Sequence, residues 1–169
     1  MLATIGSTPV VRIERLAEPG TAEVWVKLES HNPTGSYKDR MALAMIEGAE
    51  RSGQLRPGQT VVEYTGGSTG SSLAYVCALK RYPLRIVTSD AFAEAKRRTI
   101  ASFGASVEII TSPEGITPQL LPRMMERARV TPRKQPPVPT YVQNASIRPS
   151  SWSSSSVPKA VYPFDMSVL

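Results

Sequence analysis

Lys38 stands at a position where a primary amine could act as a nucleophile. Residues 32–36 are all turn-forming types, and residues 37–51 carry apolar side chains at helical spacing. Lys38 is therefore expected in the first turn of a helix, whose positive end disfavours a cation and favours the neutral, nucleophilic amine. Such a lysine suits a Schiff base to a carbonyl cofactor. The same position is also compatible with an ordinary solvated lysine.

A second segment, residues 65–70, has the composition of an anion-binding loop. Its sequence is Thr-Gly-Gly-Ser-Thr-Gly, and it lies between a predicted buried strand at 60–64 and a predicted helix at 71–81. Glycines allow close approach to the backbone, and several N–H groups at a helix start can point at one negative group. Many strand-to-helix turns are glycine-rich for packing alone, so both interpretations stay open.

The middle of the chain alternates strands with helices. Periodicity predicts strands at 84–88 and 106–110 and helices at 93–103 and 118–129. The last helix has four expected apolar positions: Leu120, Leu121, Met124 and Met125. This order of elements is typical of an α/β fold with a mainly parallel sheet and flanking helices.

Composition and charge narrow the classes of function. A hydrophobic content of 41% fits a globular protein, and no stretch approaches the ~20 apolar residues of a membrane span. Of the net charge of +6, residues 1–128 contribute +2 (15 basic, 13 acidic) and residues 129–169 contribute +4 (5 basic, 1 acidic). Because the basic excess lies mainly in the last part of the chain, without interleaved aromatic residues, we expect neither a nucleic-acid nor a membrane partner.

Cysteine and histidine each occur once. Cys77 cannot form an internal disulfide, and the N-terminus lacks a signal-peptide pattern, so we expect a cytoplasmic protein. With His31 as the single histidine and no ligand spacing, we expect no metal site. Cys77, surrounded by apolar residues, is expected to be buried, and His31 to be an exposed loop residue.

The sequence changes character near residue 129. Residues 130–169 contain seven of the fifteen prolines, a run of four serines and almost no acidic residues. Such a composition is typical of a flexible segment. We therefore predict an ordered domain over 1–128 and a Pro/Ser-rich tail over 129–169 that is disordered or out of frame.

Three segments resemble one known family. Residues 32–40, Asn-Pro-Thr-Gly-Ser-Tyr-Lys-Asp-Arg, closely resemble the pyridoxal-phosphate (PLP) lysine segment of the cysteine synthase and cystathionine β-synthase family of fold type II enzymes. Residues 5–11 resemble the family's Gly-x-Thr-Pro start, and residues 65–70 its Thr-Ser-Gly-Asn-Thr-Gly loop. Two positions depart from the pattern, because Gly66 stands where the family usually has Ser and Ser68 where it usually has Asn.

The resemblance implies a partial PLP-dependent domain over 1–128, an incomplete version of the tryptophan synthase β-like fold, and it assigns site residues. Lys38 would hold PLP and act as the catalytic base. Ser68 would stand beside the cofactor's 3′-oxygen, a contact that its short side chain weakens. The substrate carboxylate would be bound by Thr65, Gly66, Gly67, Thr69 and Gly70.

The implied reaction is a β-replacement in which an O-acetylserine-type amino acid and sulfide give cysteine, in a homodimer. Family members are longer, and the half without a counterpart here carries the loop that grips the PLP phosphate. We therefore expect a C-terminally truncated chain with impaired activity and doubtful dimerisation, and whether it is itself an active enzyme stays open. The alternatives are a catalytically silent relative that serves as a binding or interaction module, and a non-functional fragment.

Overall fold

The computed structural model describes residues 1–15 and 20–130 and the backbone of residues 141 and 142. Within these residues, a two-stranded antiparallel ribbon precedes an α/β unit whose four-stranded sheet is entirely parallel and is flanked by helices. The predicted α/β class, with a mainly parallel sheet and flanking helices, is confirmed.

The ribbon consists of β1 (Val10–Ile13) and β2 (Val24–Lys27). Its register pairs Val11 with Val26 and Ile13 with Val24, so these four apolar side chains share one face, because cross-strand partners point to the same side. Seven of the eight strand residues are exposed, and Ile13 is half-buried. The ribbon therefore contributes little to the core of the described structure.

The parallel sheet consists of β3 (Val61–Tyr64), β4 (Leu84–Ser89), β5 (Ser106–Ile110) and the short β6 (Tyr141–Val142). The spatial order is β5-β4-β3-β6. In the register, Val61 lies opposite Leu84 of β4 and Tyr141 of β6. The central strand β3 therefore has neighbours on both sides, and most of its side chains are buried, as expected for a strand covered on both faces.

Helices cover both faces of the sheet. They are α1 (Lys38–Arg51), α2 (Ser68–Lys80), α3 (Glu94–Ser102) and α4 (Leu120–Arg129). One buried cluster joins the sheet to α1, α2 and α3, with Ala42, Ile46, Leu73, Val76, Ile86 and Ile100 among its members. A second joins the sheet to α4 through Val62, Val87, Leu120, Met124 and Ala128. The sheet is thus the middle layer of three.

Element positions agree with the sequence predictions except at two helix starts. Helix α2 begins at Ser68 rather than at 71, so half of the predicted loop belongs to the first helical turn. Helix α4 begins at Leu120 rather than at 118. Within α4, Leu121 was wrongly placed among the core positions and is 50% exposed, because the buried face follows the four-residue spacing of Leu120, Met124 and Ala128.

The predicted tail lies largely outside the described residues. Of residues 129–169, the structure describes the helix end at 129–130 and the strand β6, which pairs in parallel with β3. The division of the chain into 1–128 and 129–169 stays a prediction. In the described part of the chain, no helix has the length and apolar character that crossing a membrane requires. His31 is exposed, as predicted.

Cys77 lies in the middle of α2 and is 1% exposed, as predicted. Burial raises the pKa of its thiol to about 12, which removes the reactive thiolate at neutral pH. We expect the native chain not to react with Ellman's reagent and the urea-unfolded chain to release one equivalent of chromophore. Rapid reaction of the native chain would contradict this burial.

Candidate functional site

The strand order of the sheet has a switch point at β3. From β3 the chain moves outward on one side through β4 to β5, and β6 then lies on the other side of β3. The covering helices change faces at the same place, with α2 and α3 on one side of the sheet and α4 on the other. Parallel α/β sheets bind ligands at such topological switch points. Residues 65–70 follow β3 at this place.

The loop after β3 is held by its own first residue. The Thr65 N–H donates to the Val87 carbonyl oxygen at 3.0 Å, which anchors the loop to β4. The Thr65 hydroxyl accepts from the Gly67 N–H at 3.1 Å. A Cβ at Gly70 would lie 2.7 Å from the Thr65 methyl and 2.8 Å from Cδ1 of Ile100, so only glycine fits this close approach.

The first turn of α2 presents unpaired donors. Its first intrahelical hydrogen bond runs from the Ser71 N–H to the Gly67 carbonyl at 3.0 Å. The N–H groups of Ser68, Thr69 and Gly70 precede that bond and have no acceptor among the described residues, and the hydroxyls of Ser68 and Thr69 likewise have no described partner. Unpaired N–H groups at the positive end of a helix suit a bound anion.

Lys38 is the first residue of α1 and therefore lies in the first helical turn, as predicted. Its backbone N–H donates to the Ser36 hydroxyl at 3.1 Å, which fixes the helix start. The side chain is half-buried, and Nζ lies 4.4 Å from the centre of the Tyr37 ring. Within the described residues Nζ makes no ion pair or hydrogen bond. The amine therefore lies beside an aromatic face and pairs with no carboxylate of the described residues.

A short chain of hydrogen bonds joins the two motifs. The Asp39 carboxylate is fully buried and accepts from both the backbone N–H (2.8 Å) and the hydroxyl of Thr34. The Thr34 hydroxyl also shares a hydrogen bond of 3.2 Å with the Ser72 hydroxyl in α2. Because Thr34 is four residues before Lys38 and Ser72 is two residues after Gly70, the lysine turn and the glycine-rich loop lie side by side.

The positioning network behind Lys38 was not anticipated from the sequence. Glu29 accepts hydrogen bonds from Arg40 Nε (3.0 Å), the Thr8 hydroxyl (2.9 Å) and Asn32 Nδ2 (2.8 Å). The Gly6 N–H donates to Asn32 Oδ1 at 2.9 Å. The Arg40 hydrogen bond lowers the pKa of Glu29 to about 2, against the raising effect of desolvation. The network ties the N-terminal motif to α1.

Glu63 is a buried acid in β3, two residues before the loop. It is 3% exposed, and desolvation raises its pKa to about 8, with a hydrogen bond from the Tyr64 backbone acting in the opposite direction. The carboxyl is therefore mostly neutral at pH 7. Its neutrality leaves the positive end of α2 without a compensating anion from this strand.

The described residues contain no cluster of three or more His, Cys, Asp or Glu side chains that could hold a metal ion. What the site offers is an unpaired amine, a set of N–H donors at a helix start, and hydroxyls beside them. These groups suit covalent capture of an aldehyde and binding of a carboxylate or phosphate. All seven residues predicted from the sequence lie in these two neighbouring segments, and their roles stay predictions.

The switch-point sheet, the lysine at one helix start and the donor loop at another are features of α/β proteins that bind small ligands at the carboxyl ends of their parallel strands. Residues 1–143 match the family model described as pyridoxal-phosphate dependent enzyme. The chain belongs to this family, whose members depend on PLP.

Similar proteins include cysteine synthase B of Salmonella typhimurium, which is 36% identical over 157 residues that make up 90% of this chain and 52% of that protein. Among solved structures, a hydrogen sulfide-producing enzyme from Fusobacterium nucleatum superposes with a TM-score of 0.69 at 34% identity, over 85% of this chain and 45% of that chain. O-acetyl serine sulfhydrylase isoform 3 from Entamoeba histolytica gives 0.69 at 30% identity, over 83% and 42%. The predicted resemblance to cysteine synthases is thus confirmed, and this chain spans about half the length of these relatives.

Proposed function

We propose that this chain carries the lysine and the substrate-carboxylate loop of a PLP-dependent β-replacement site of the cysteine synthase type. The observation that carries the proposal is the junction of the two motifs through Thr34 and Ser72. This bond brings the turn before Lys38 into contact with the helix that begins in the donor loop. An enzyme of this type needs a lysine amine and a carboxylate-binding loop close to one amino-acid substrate.

The proposed roles follow from the chemistry of each group. Lys38 binds the cofactor aldehyde and later takes the α-proton of the substrate as general base. The loop of Thr65, Gly66, Gly67, Thr69 and Gly70 holds the substrate carboxylate through its N–H groups and hydroxyls. The Ser68 hydroxyl donates to the cofactor ring oxygen, a contact that its short side chain weakens. When bound, PLP supplies an electron sink for the charge left at the α-carbon.

The described residues fit the aldehyde end of PLP better than its phosphate end. The Lys38 amine has no carboxylate partner to displace, and the Ser68 hydroxyl has no competing protein acceptor or donor among the described residues. After Gly70 the sequence has glycines at positions 104 and 115 alone, so it carries no second glycine-rich loop for the phosphate. A complete site therefore requires a phosphate anchor beyond the two motifs described here.

The substrate proposal rests on the named relatives. Cysteine synthase B and O-acetyl serine sulfhydrylase point to an O-acetylserine-type amino acid with sulfide as the second substrate. Under the same proposal the protein is cytoplasmic and binds a small amino acid, and the family's homodimer is impaired in a chain of this length. Neither nucleic acid nor a membrane is part of it.

Covalent labelling tests the proposal directly. Incubation with PLP, borohydride reduction and peptide mapping are expected to place a single dominant pyridoxyl group on Lys38, because this amine is unpaired and half-buried beside the donor loop. Lys38→Ala should lose that label while the far-ultraviolet circular dichroism is unchanged. The matched control is Lys38→Arg, which keeps the positive charge but forms no stable imine. Equal labelling of the other lysines would reject the proposed site.

A second candidate function is a catalytically silent relative that binds ligands or partners without turnover. Gly66 and Ser68 favour it, because both replace side chains that the cysteine synthase loop normally supplies. A folded chain that remains colourless with PLP and shows no specific label on Lys38 would support this candidate over the first.

A further inference from the structure

Phe92 lies directly over the glycine-rich loop. A Cβ built on Gly66 would be 2.8 Å from Cε1, 2.9 Å from Cδ1 and 3.1 Å from Cζ of the Phe92 ring. Real Cβ atoms do not approach other atoms so closely, so the ring occupies the space into which a side chain at position 66 would project. Gly66 is also the position at which this chain lacks the serine that is usual in its family.

The ring is held in place from several sides. Phe92 belongs to the turn after β4, and its N–H donates to the Ser89 carbonyl at 3.2 Å. The Arg97 guanidinium donates to the carbonyl oxygens of both Ser89 (3.1 Å) and Phe92 (2.7 Å). The ring packs, partly buried, against the core cluster that α4 shares with the sheet. With its backbone fixed and the core behind it, the ring has little room to withdraw from Gly66.

Position 67 is covered in a similar way. A Cβ at Gly67 would lie 3.2 Å from Cγ of Lys96, so the aliphatic stem of this lysine rests on the loop next to the Phe92 ring. Both coverings come from the segment 92–96, which spans the end of the turn after β4 and the first residues of α3. The loop is therefore confined on one side by protein, and its N–H donors at 68–70 begin directly after the confined glycines.

We propose that Phe92 is the positioning residue of the carboxylate loop: its ring takes the place of a side chain at position 66 and holds Gly66 and Gly67 so that the N–H groups at 68–70 converge on the carboxylate. The inference rests on the proposed function and deepens it. It implies that this loop binds an amino-acid carboxylate through N–H groups and the hydroxyls of Thr65 and Thr69, with an apolar wall where relatives have a hydroxyl.

A size-exchange experiment tests the contact. Gly66→Ser is expected to lower the urea midpoint of unfolding, because its side chain meets the ring. Phe92→Ala is expected to lower it as well, because the ring leaves a cavity. The double variant Gly66→Ser/Phe92→Ala should have a higher midpoint than Gly66→Ser alone, since the smaller residue makes room for the serine. Additive losses in the double variant would overturn the contact.

Two further measurements separate positioning from stability. In nuclear magnetic resonance spectra, the Hα signals of Gly66 should carry a ring-current shift that Phe92→Leu removes and Phe92→Tyr keeps.

The second measurement uses acetate as the carboxylate probe, and the amide signals of residues 67–70 should shift as acetate is added. Phe92→Ala should raise the half-saturating acetate concentration by about tenfold, which is the loss expected when a preorganised site becomes mobile. Phe92→Tyr should stay near the value of the unsubstituted chain. Equal acetate binding by Phe92→Ala and the unsubstituted chain would overturn the positioning role.

The outcomes also distinguish this inference from the proposed function. Specific borohydride labelling of Lys38 together with an additive size exchange would keep the proposed function and reject the role of Phe92. A non-additive size exchange and a Phe92-dependent acetate titration without Lys38 labelling would keep the role of Phe92 and reject the PLP site.

Discussion

The 169-residue chain, assayed with O-acetylserine, sulfide and added PLP, is expected to form cysteine at least about 100-fold more slowly than a cysteine synthase B measured in parallel. The expected cause is poor positioning of the cofactor. Lys38 holds the cofactor aldehyde and the loop at 65–70 holds the substrate carboxylate, whereas the sequence has no second glycine-rich loop for the cofactor phosphate. A cofactor attached at its aldehyde alone can rotate, so the α-proton is not held in line with Lys38.

The control for this assay is Lys38→Arg, which preserves the charge at the start of α1 and removes the nucleophilic amine. We expect both chains to give rates near the background reaction with free PLP. Rapid cysteine formation by the unsubstituted chain that Lys38→Arg abolishes would show that the phosphate is anchored by residues outside the two motifs. That result would contradict the positional argument and strengthen the assignment of Lys38.

Replacing Glu63 by glutamine is expected to stabilise the chain near neutral pH. Burial raises the pKa of Glu63 to about 8 in the folded chain, from its ordinary value of 4.5, so folding at pH 7 requires a proton that the unfolded chain does not carry. Each pH unit between these values costs about 1.4 kcal/mol. The expected gain is on the order of 3 kcal/mol near pH 7, since the glutamine amide oxygen can still accept from the Tyr64 N–H.

The sign of the pH dependence identifies the cause. A raised pKa in the folded state gives stability that is fully present below pH 4.5 and is lost as pH rises toward about 8. The free energy of unfolding, from urea titrations at several pH values, should therefore fall more steeply with pH for the unsubstituted chain than for Glu63→Gln across this window. Glu114→Gln, at an exposed position, should leave the pH dependence unchanged. Parallel curves for Glu63→Gln and the unsubstituted chain would contradict the burial argument.

Much of the fold follows from patterns that are local in the sequence. The strand at 106–110 and the start of α1, to within one residue, were predicted from apolar periodicity and turn residues, which act over a few neighbouring positions. The two chemical motifs were likewise identifiable from residue types at fixed spacing. Local preferences suffice for these features because helices repeat about every 3.6 residues and strands every two, so a few neighbouring residues already show which side chains share a face.

The exact start of helix α2 could not be predicted from the sequence. Ser68, Thr69 and Gly70 have loop-forming residue types, yet they form the first turn of α2. That turn is held by the Thr65 hydroxyl bond to Gly67 and by the close packing of Gly70 on Ile100, which is thirty positions further along the chain. The conformational preferences of neighbouring residues include neither contact. The predicted loop therefore ended three residues later than the observed one.

The sequence by itself determined the residue types that do chemistry: an amine after a turn, a glycine-rich loop after a strand, and a motif shared with cysteine synthases. Only the tertiary structure decided that Glu29 pairs with Arg40, that Thr34 meets Ser72, and that Phe92 covers Gly66. These contacts join residues 11 to 38 positions apart. They depend on how helices and turns pack across the sheet. Sequence periodicity predicts which side of a helix or strand is buried, but not which residues it will contact.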